Sequence, residues 1–199
     1  PGRDFLAVAT LSFGLFAEVF ARQASDITGG AYGITFPHVD TAEEARACID
    51  RVKYPPLGHR SVVGALPQIE FASMPMAEAT AAINANVLNV VMLESPTAIA
   101  NADAIAAVPG VDVLLVGGSD LSMEMGLPGQ YFHADVVKAF ETTIAACRRH
   151  DKWPGMGGIY NEEGYRKYVG MGVKMVLAGS DLSFMMAAAG ASVKVLRGL

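Results

Sequence analysis

Seven short apolar runs of strand length recur along the chain, with helix-like patterns between most of them. This alternation is the mark of parallel strands joined by helical crossovers, because parallel neighbours cannot be linked by a tight turn. The runs cover residues 5–10, 19–22, 31–36, 88–93, 113–116, 155–159 and 174–178. Between them, Thr41 with Glu44 three residues later reads as a capping box that opens a helix carrying Ala45, Cys48 and Ile49. Pro96 starts a helix running to about Val108, and Val137, Phe140, Ile144 and Cys147 mark one face of a helix ending near His150. Asn161 caps a helix that stops at Gly170, and Asp181 is read as the cap of the last one.

The pattern fits a doubly wound sheet or a (β/α)8 barrel. A barrel typically takes about 250 residues. The expectation is therefore an α/β fold, a (β/α)8 (TIM) barrel, with 1–199 as a single domain lacking N-terminal residues and part of the crossover between 22 and 31. The composition supplies enough core for this: 52% of residues are hydrophobic and only 18% charged, which excludes a disordered chain.

A net charge of −5, with no run of Lys or Arg, argues against a nucleic-acid surface and leaves small-molecule chemistry. No apolar stretch reaches the ~20 residues a membrane span needs. Cys48 and Cys147 both fall in predicted helices and show no CxxC spacing, so they read as small core residues of a reduced, cytoplasmic protein rather than a disulfide.

In a parallel barrel the reactive groups sit where strands end. Glu94 follows the run Val90-Val91-Met92-Leu93, and Asp120 follows Leu114 to Ser119, about one βα unit later, so the two carboxylates belong to neighbouring strands. Two adjacent carboxylates without a basic partner in sequence repel each other, and a hard divalent cation, Mg2+ or Mn2+, resolves that repulsion. The alternative is that Glu94 pairs with an arginine and Asp120 caps a helix. The stretch Met123 to Gly129 after Asp120 is too broken for a clean cap and reads as an active-site loop.

Gly118-Ser119-Asp120-Leu121-Ser122 recurs as Gly179-Ser180-Asp181-Leu182-Ser183, each time after an apolar run, as two equivalent turns of one barrel would. Gly117 and Gly118 would let a ligand carboxylate approach backbone N–H groups. Arg22 follows a possible strand and can meet a carboxylate or a developing oxyanion, or form a surface ion pair. His38 lies at a strand end near the mouth; His59 sits in a proline-fixed turn; His133 and His150 flank a helix. No lysine stands at the catalytic end of a strand, since Lys53, Lys138, Lys167 and Lys194 fall on helices, Lys152 precedes a strand and Lys174 begins one. A Schiff-base mechanism is therefore disfavoured against metal activation.

On these residues the chain resembles the HpcH/HpaI aldolase family, class II pyruvate aldolases related to the citrate lyase β subunit and malyl-CoA lyases. The match covers most of the chain from about Asp4. It is carried by Gly30-Ala31-Tyr32-Gly33-Ile34 through Pro37, Thr41 to Arg46, Tyr54-Pro55-Pro56-Leu57-Gly58-His59-Arg60, Leu93-Glu94, Pro109 to Asp112 and Gly118 to Ser122.

The resemblance implies that Glu94 and Asp120 bind the metal, Mg2+ or Mn2+ with Co2+ as a further option, and that Gly118 and Ser119 offer backbone to the substrate carboxylate. It also implies that Arg22 is the catalytic and substrate-binding arginine that steadies a pyruvate enolate. The implied reaction cleaves or forms the C–C bond of a 4-hydroxy-2-oxo acid, with pyruvate and an aldehyde as partners, in a homo-oligomer, a hexamer or trimer. Two departures stand out: Met92 replaces a glutamine common two residues before the metal-binding glutamate, and the family's Glu-His pair is absent near Phe5 to Gly14. They keep two alternatives open, a CoA-thioester lyase of the citrate lyase β or malyl-CoA lyase type and a degenerate barrel that binds without turnover.

Overall fold

The computed structural model describes residues 6–8, 30–64 and 66–199. Among the described residues, six strands form one parallel sheet: β1 (Leu6–Val8), β2 (Gly33–Phe36), β3 (Leu88–Leu93), β4 (Val113–Gly117), β5 (Trp153–Gly157) and β6 (Met175–Leu177), in the order β1-β6-β5-β4-β3-β2. The crossovers carry α1 (Ala42–Val52), a 3-10 turn (Pro67–Ile69), α2 (Met76–Asn86), α3 (Pro96–Ala100), α4 (Ala102–Ala106), α5 (Gly118–Glu124), α6 (Ala134–Arg149) and α7 (Glu162–Met171); α8 (Asp181–Leu196) follows β6.

Because strand side chains alternate between faces, β3, β4, β5 and β6 each feed two different environments. Val91, Leu93, Leu114, Val116, Met156 and Val176 point into the main core, against Cys48 and Ile49 of α1, Ile105 of α4 and Phe140, Ile144 and Cys147 of α6. Val90, Val113, Leu115 and Met175 point the other way, into a separate cluster completed by Leu88, Met92, Trp153 and Leu177, all from strands. Among the described residues, helices on one face and strand residues alone on the other are what part of a barrel wall presents; a doubly wound sheet carries helices on both.

The strand expected at 88–93 forms with those bounds, whereas the run at 155–159 is shifted, the paired residues being Trp153–Gly157. The run at 19–22 lies outside the described residues. The Thr41 and Glu44 capping box is formed, and Asn161 Oδ1 accepts from Gly164 N as a cap does. The helix expected from Pro96 to Val108 is broken at Asn101, whose Nδ2 donates to the Asp40 carbonyl at 2.8 Å, a tertiary bond that outweighs continued helix. On α6 it is Val136, not Val137, that is buried with Phe140 and Cys147. Helix α2 has no counterpart in the sequence reading: only Ile83 of its residues is buried, so it shows no apolar stripe. Asp181 is not the cap of α8; Ser180 is, in a reciprocal pair with Ser183.

Candidate active site

The described strands all run parallel, so their C-terminal ends share one edge, where Glu94, Gly118, Ser119 and Asp120 gather. Glu94 directly follows β3 and is 4% exposed. Asp120 lies in the first turn of α5, which starts directly at the end of β4; of the stretch Met123 to Gly129 read as a loop, Met123 and Glu124 are helical and the rest is loop. The helix forms because Leu121 is fully buried and Ser122 Oγ donates back to the Ser119 carbonyl at 2.8 Å, anchoring the turn on its inner side.

The two carboxyl groups come within hydrogen-bonding reach of each other. Burial pushes the Glu94 carboxyl above its ordinary range, the adjacent Asp120 charge and hydrogen bond push the same way, and His38 opposes them through its backbone N–H and its ring. His38 follows β2 and donates its backbone N–H to Glu94 Oε2 at 2.9 Å, while its Nδ1 lies 3.3 Å from the same oxygen. It holds φ 52°, a left-handed conformation uncommon for a side-chain-bearing residue. The neighbouring backbone is tied down as well, by Val39 N to the Met92 carbonyl at 3.2 Å and Ser95 Oγ to Asp40 Oδ1 at 2.5 Å.

Two hard carboxylate oxygen donors, one buried and one at the surface, fit a hydrated divalent cation such as Mg2+, which is commonly held by one or two carboxylates and keeps several waters. A cation there also offsets the burial and the neighbouring Asp120 charge that together raise Glu94. Among the described residues no group of three or more His, Cys, Asp or Glu side chains is arranged to hold a metal.

Gly118 is buried, and the space its missing side chain leaves is filled by Ile159, whose Cδ1 and Cγ1 would lie 2.8 Å from a methyl there. Its lack of a side chain thus serves packing. Ser119 spends its hydroxyl on the Gly158 carbonyl at 2.9 Å, which fixes the turn while leaving its backbone N–H as the group that could meet a ligand. Arg22 lies outside the described residues. Met92 is half-buried on the inner face, with Val90, on the strand that leads to Glu94.

The other polar candidates are engaged in contacts of their own. His59 Nδ1 pairs with Asp50 Oδ1 at 2.5 Å; His133 caps α6 by accepting from Asp135 N; His150 and Arg149 both meet Asp103 Oδ1. Lys53 follows α1 and is buried, its Nζ donating to the carbonyls of Asn84 and Val87 at the end of α2, a structural post. Burial pushes the Cys48 thiol up to about 11 and the Cys147 thiol up to about 12, so neither free thiol is a nucleophile at neutral pH.

What sequence reasoning missed is the His38 contact, because its partner is 56 residues away, and Ser122, which ties Asp120's helix to the next loop by accepting from Gly129 N at 3.3 Å. The far end of that loop is held by the Tyr168 hydroxyl, which donates to the Tyr131 carbonyl.

The chain is similar to the 4-hydroxy-4-methyl-2-oxoglutarate aldolase of Chaetomium globosum, 41% identical over 173 residues, 85% of this chain and 64% of that protein. A second, from Hapsidospora irregularis, is 47% identical over 145 residues, 71% of this chain and 52% of that protein. The 5-keto-4-deoxy-D-glucarate aldolase of Klebsiella pneumoniae is 34% identical over 159 residues, 80% of this chain and 61% of that protein. The chain thus spans less than two thirds of the length of these relatives. The crystal structure of an HpcH/HpaI aldolase from Desulfitobacterium hafniense superposes with TM-score 0.81 and 29% identity, covering 90% of this chain and 69% of that one. A family model for HpcH/HpaI aldolase/citrate lyase matches residues 15–188, a span that includes both carboxylates and the strands that bring them together, and the chain belongs to that family.

Proposed function

We propose that this chain is a carbon–carbon lyase that cleaves a 4-hydroxy-2-oxo acid to pyruvate and a carbonyl compound, using a divalent cation held by Glu94 and Asp120. The observation that carries the reading is the convergence of those two carboxylates at the C-terminal edge of a parallel sheet. Relatives named as aldolases of 4-hydroxy-4-methyl-2-oxoglutarate and 5-keto-4-deoxy-D-glucarate support the substrate class.

When bound, Mg2+, Mn2+ or Co2+ supplies Lewis-acid polarisation of the keto group. The chain's own residues do the rest. The His38 N–H fixes one Glu94 oxygen, and the backbone at Gly118 and Ser119 meets the substrate carboxylate. In cleavage the C3–C4 bond breaks and its bonding pair passes to the pyruvate enolate, the C4 hydroxyl proton passes to water as the carbonyl product forms, and the enolate takes a proton back from water at C3 to give pyruvate. Arg22 shares the charge on that enolate's oxygen. Val90 and Met92 line the apolar inner face below Glu94 and keep water from it.

The same reading takes the six-stranded sheet as part of a (β/α)8 barrel in one domain. It makes the protein a cytoplasmic homo-oligomer of hexamer or trimer size. The free, buried cysteines fit a reducing compartment, and α8 fits an interface: none of its residues is buried, while Leu182, Phe184, Met185, Met186, Val195 and Leu196 are exposed. Among the described residues no helix is long and apolar enough to cross a membrane.

The test is to strip the chain with a chelator, add back Mg2+, Mn2+ or Co2+ separately, and follow pyruvate release from 4-hydroxy-4-methyl-2-oxoglutarate and 5-keto-4-deoxy-D-glucarate. Release that depends on added metal and disappears in Glu94→Ala is expected. Turnover indifferent to the chelator overturns the metal role, and metal binding without turnover of any 4-hydroxy-2-oxo acid overturns the aldolase.

A further inference from the structure

The Glu94 side chain does not stand free at the end of β3. The register pairs Leu93 with Val116, so continuing it by one residue makes Glu94 and Gly117 cross-strand neighbours on the inner face. There the glutamate lies across the glycine: a methyl on Gly117 would sit 2.6 Å from Glu94 Cγ, 2.7 Å from Oε1 and 3.1 Å from Cδ, closer than packed atoms come. Gly117 itself holds φ −84° and ψ 86°, so nothing in its own backbone demands glycine. What is needed at this position is space.

The carboxylate is thus held on two sides, with Oε2 taking the N–H of His38 and the Cγ to Oε1 edge resting on the bare backbone of Gly117. A side chain at Gly117 would displace the second side. We propose that Gly117 is a positioning residue whose missing side chain sets where the Glu94 carboxylate points, and through it the geometry of the carboxylate pair. This rests on the reading of Glu94 and Asp120 as the metal site. It gives Gly117 a different part from that of Gly118, whose space is taken by Ile159.

The experiment is a cycle of Gly117→Ala, Glu94→Ala and the double variant on the whole chain, with three readouts: Mn2+ affinity by titration, the His38 amide proton resonance without metal, and thermal unfolding. Gly117→Ala should weaken Mn2+ binding by about tenfold or more, the range seen when a residue that orients a ligand is lost. It should also move the His38 amide resonance toward its position in Glu94→Ala. Thermal unfolding should drop for Gly117→Ala in the natural background and not in the Glu94→Ala background, where the methyl has nothing to meet. Should Gly117→Ala fail to fold, folding of the double variant supports the same coupling and its failure overturns it.

Mn2+ affinity and a His38 resonance unchanged in Gly117→Ala, while Glu94→Ala loses both, would overturn the proposal and spare the metal site. If Glu94→Ala binds Mn2+ as well as the natural chain, the metal reading fails instead. The His38 resonance and the unfolding cycle then still decide whether Gly117 positions Glu94.

Discussion

The same five residues, Gly-Ser-Asp-Leu-Ser, leave the sheet twice, at 118–122 after β4 and at 179–183 after β6, and they build two different things. After β4 the helix begins at Gly118 with no side-chain cap, Asp120 lies in its first turn beside Glu94, and Leu121 is 0% exposed. After β6 the helix begins at Asp181, Ser180 and Ser183 cap each other, and Leu182 is 59% exposed. One bond is common to both, the last serine donating back to the first serine's carbonyl, at 2.8 Å from Ser122 and 2.7 Å from Ser183. The pentapeptide therefore specifies a tight local turn, and the neighbours decide the rest. β4 lies beside β3, which leads directly into Glu94; β6 lies between β5 and β1, and β5 ends in Gly157.

The largest expected difference between the two copies is in packing. Leu121→Ala should cost about 2–5 kcal/mol of global stability, the usual range for a fully buried leucine. Leu182→Ala should stay within about 0.5 kcal/mol, as exposed substitutions do. Denaturant unfolding of both variants measures this, and equal losses would mean that the two turns are packed alike. Size-exclusion with light scattering on Leu182→Ala sharpens the contrast, since loss of assembly with unchanged stability would place α8 at a subunit interface.

The contrast in chemistry comes next. Asp120→Ala should weaken Mn2+ binding on the order of 100-fold, at least the upper end of what a residue merely supporting a ligand contributes. Asp181→Ala should leave it unchanged, because Asp181 Oδ1 only accepts from the N–H of Leu182. A Mn2+ titration in which both variants fall together would erase the distinction between the turns.

How far each turn could be read from sequence follows from the range of the interactions. Strand β3, the Thr41 capping box and the Asn161 cap rest on neighbours in the chain and were legible. So was the placing of Glu94 and Asp120 just past the ends of adjacent strands, from the apolar runs they follow and their spacing. The helix around Asp120 was not, because its glycines and broken sequel argue locally for a loop while burial of Leu121 argues globally for a helix. Likewise, Asp181 looks like a cap as readily as Ser180, and only the reciprocal bond with Ser183 separates them. The break at Asn101 depends on Asp40, and the seat of Glu94 on His38 and Gly117, all far off in sequence. Spacing shows which residues reach the edge; it does not show what fixes their orientation there.

The smallest effect separates the two serines in second place. Ser180→Ala removes a side-chain cap and should cost about 1 kcal/mol. Because no residue of α8 is buried, that cost should appear locally, as roughly fivefold faster amide exchange in the first turn of α8 with little change in global unfolding. Ser119 does something else with the same hydroxyl, tying the end of β4 to the Gly158 carbonyl after β5. Ser119→Ala should also cost about 1 kcal/mol, the net value of one hydrogen bond, but in the global transition, since it joins two strands of the sheet. Hydrogen exchange and denaturant unfolding on the two variants should therefore give opposite patterns. Matching patterns would show that the pentapeptide, and not its surroundings, sets what each serine does.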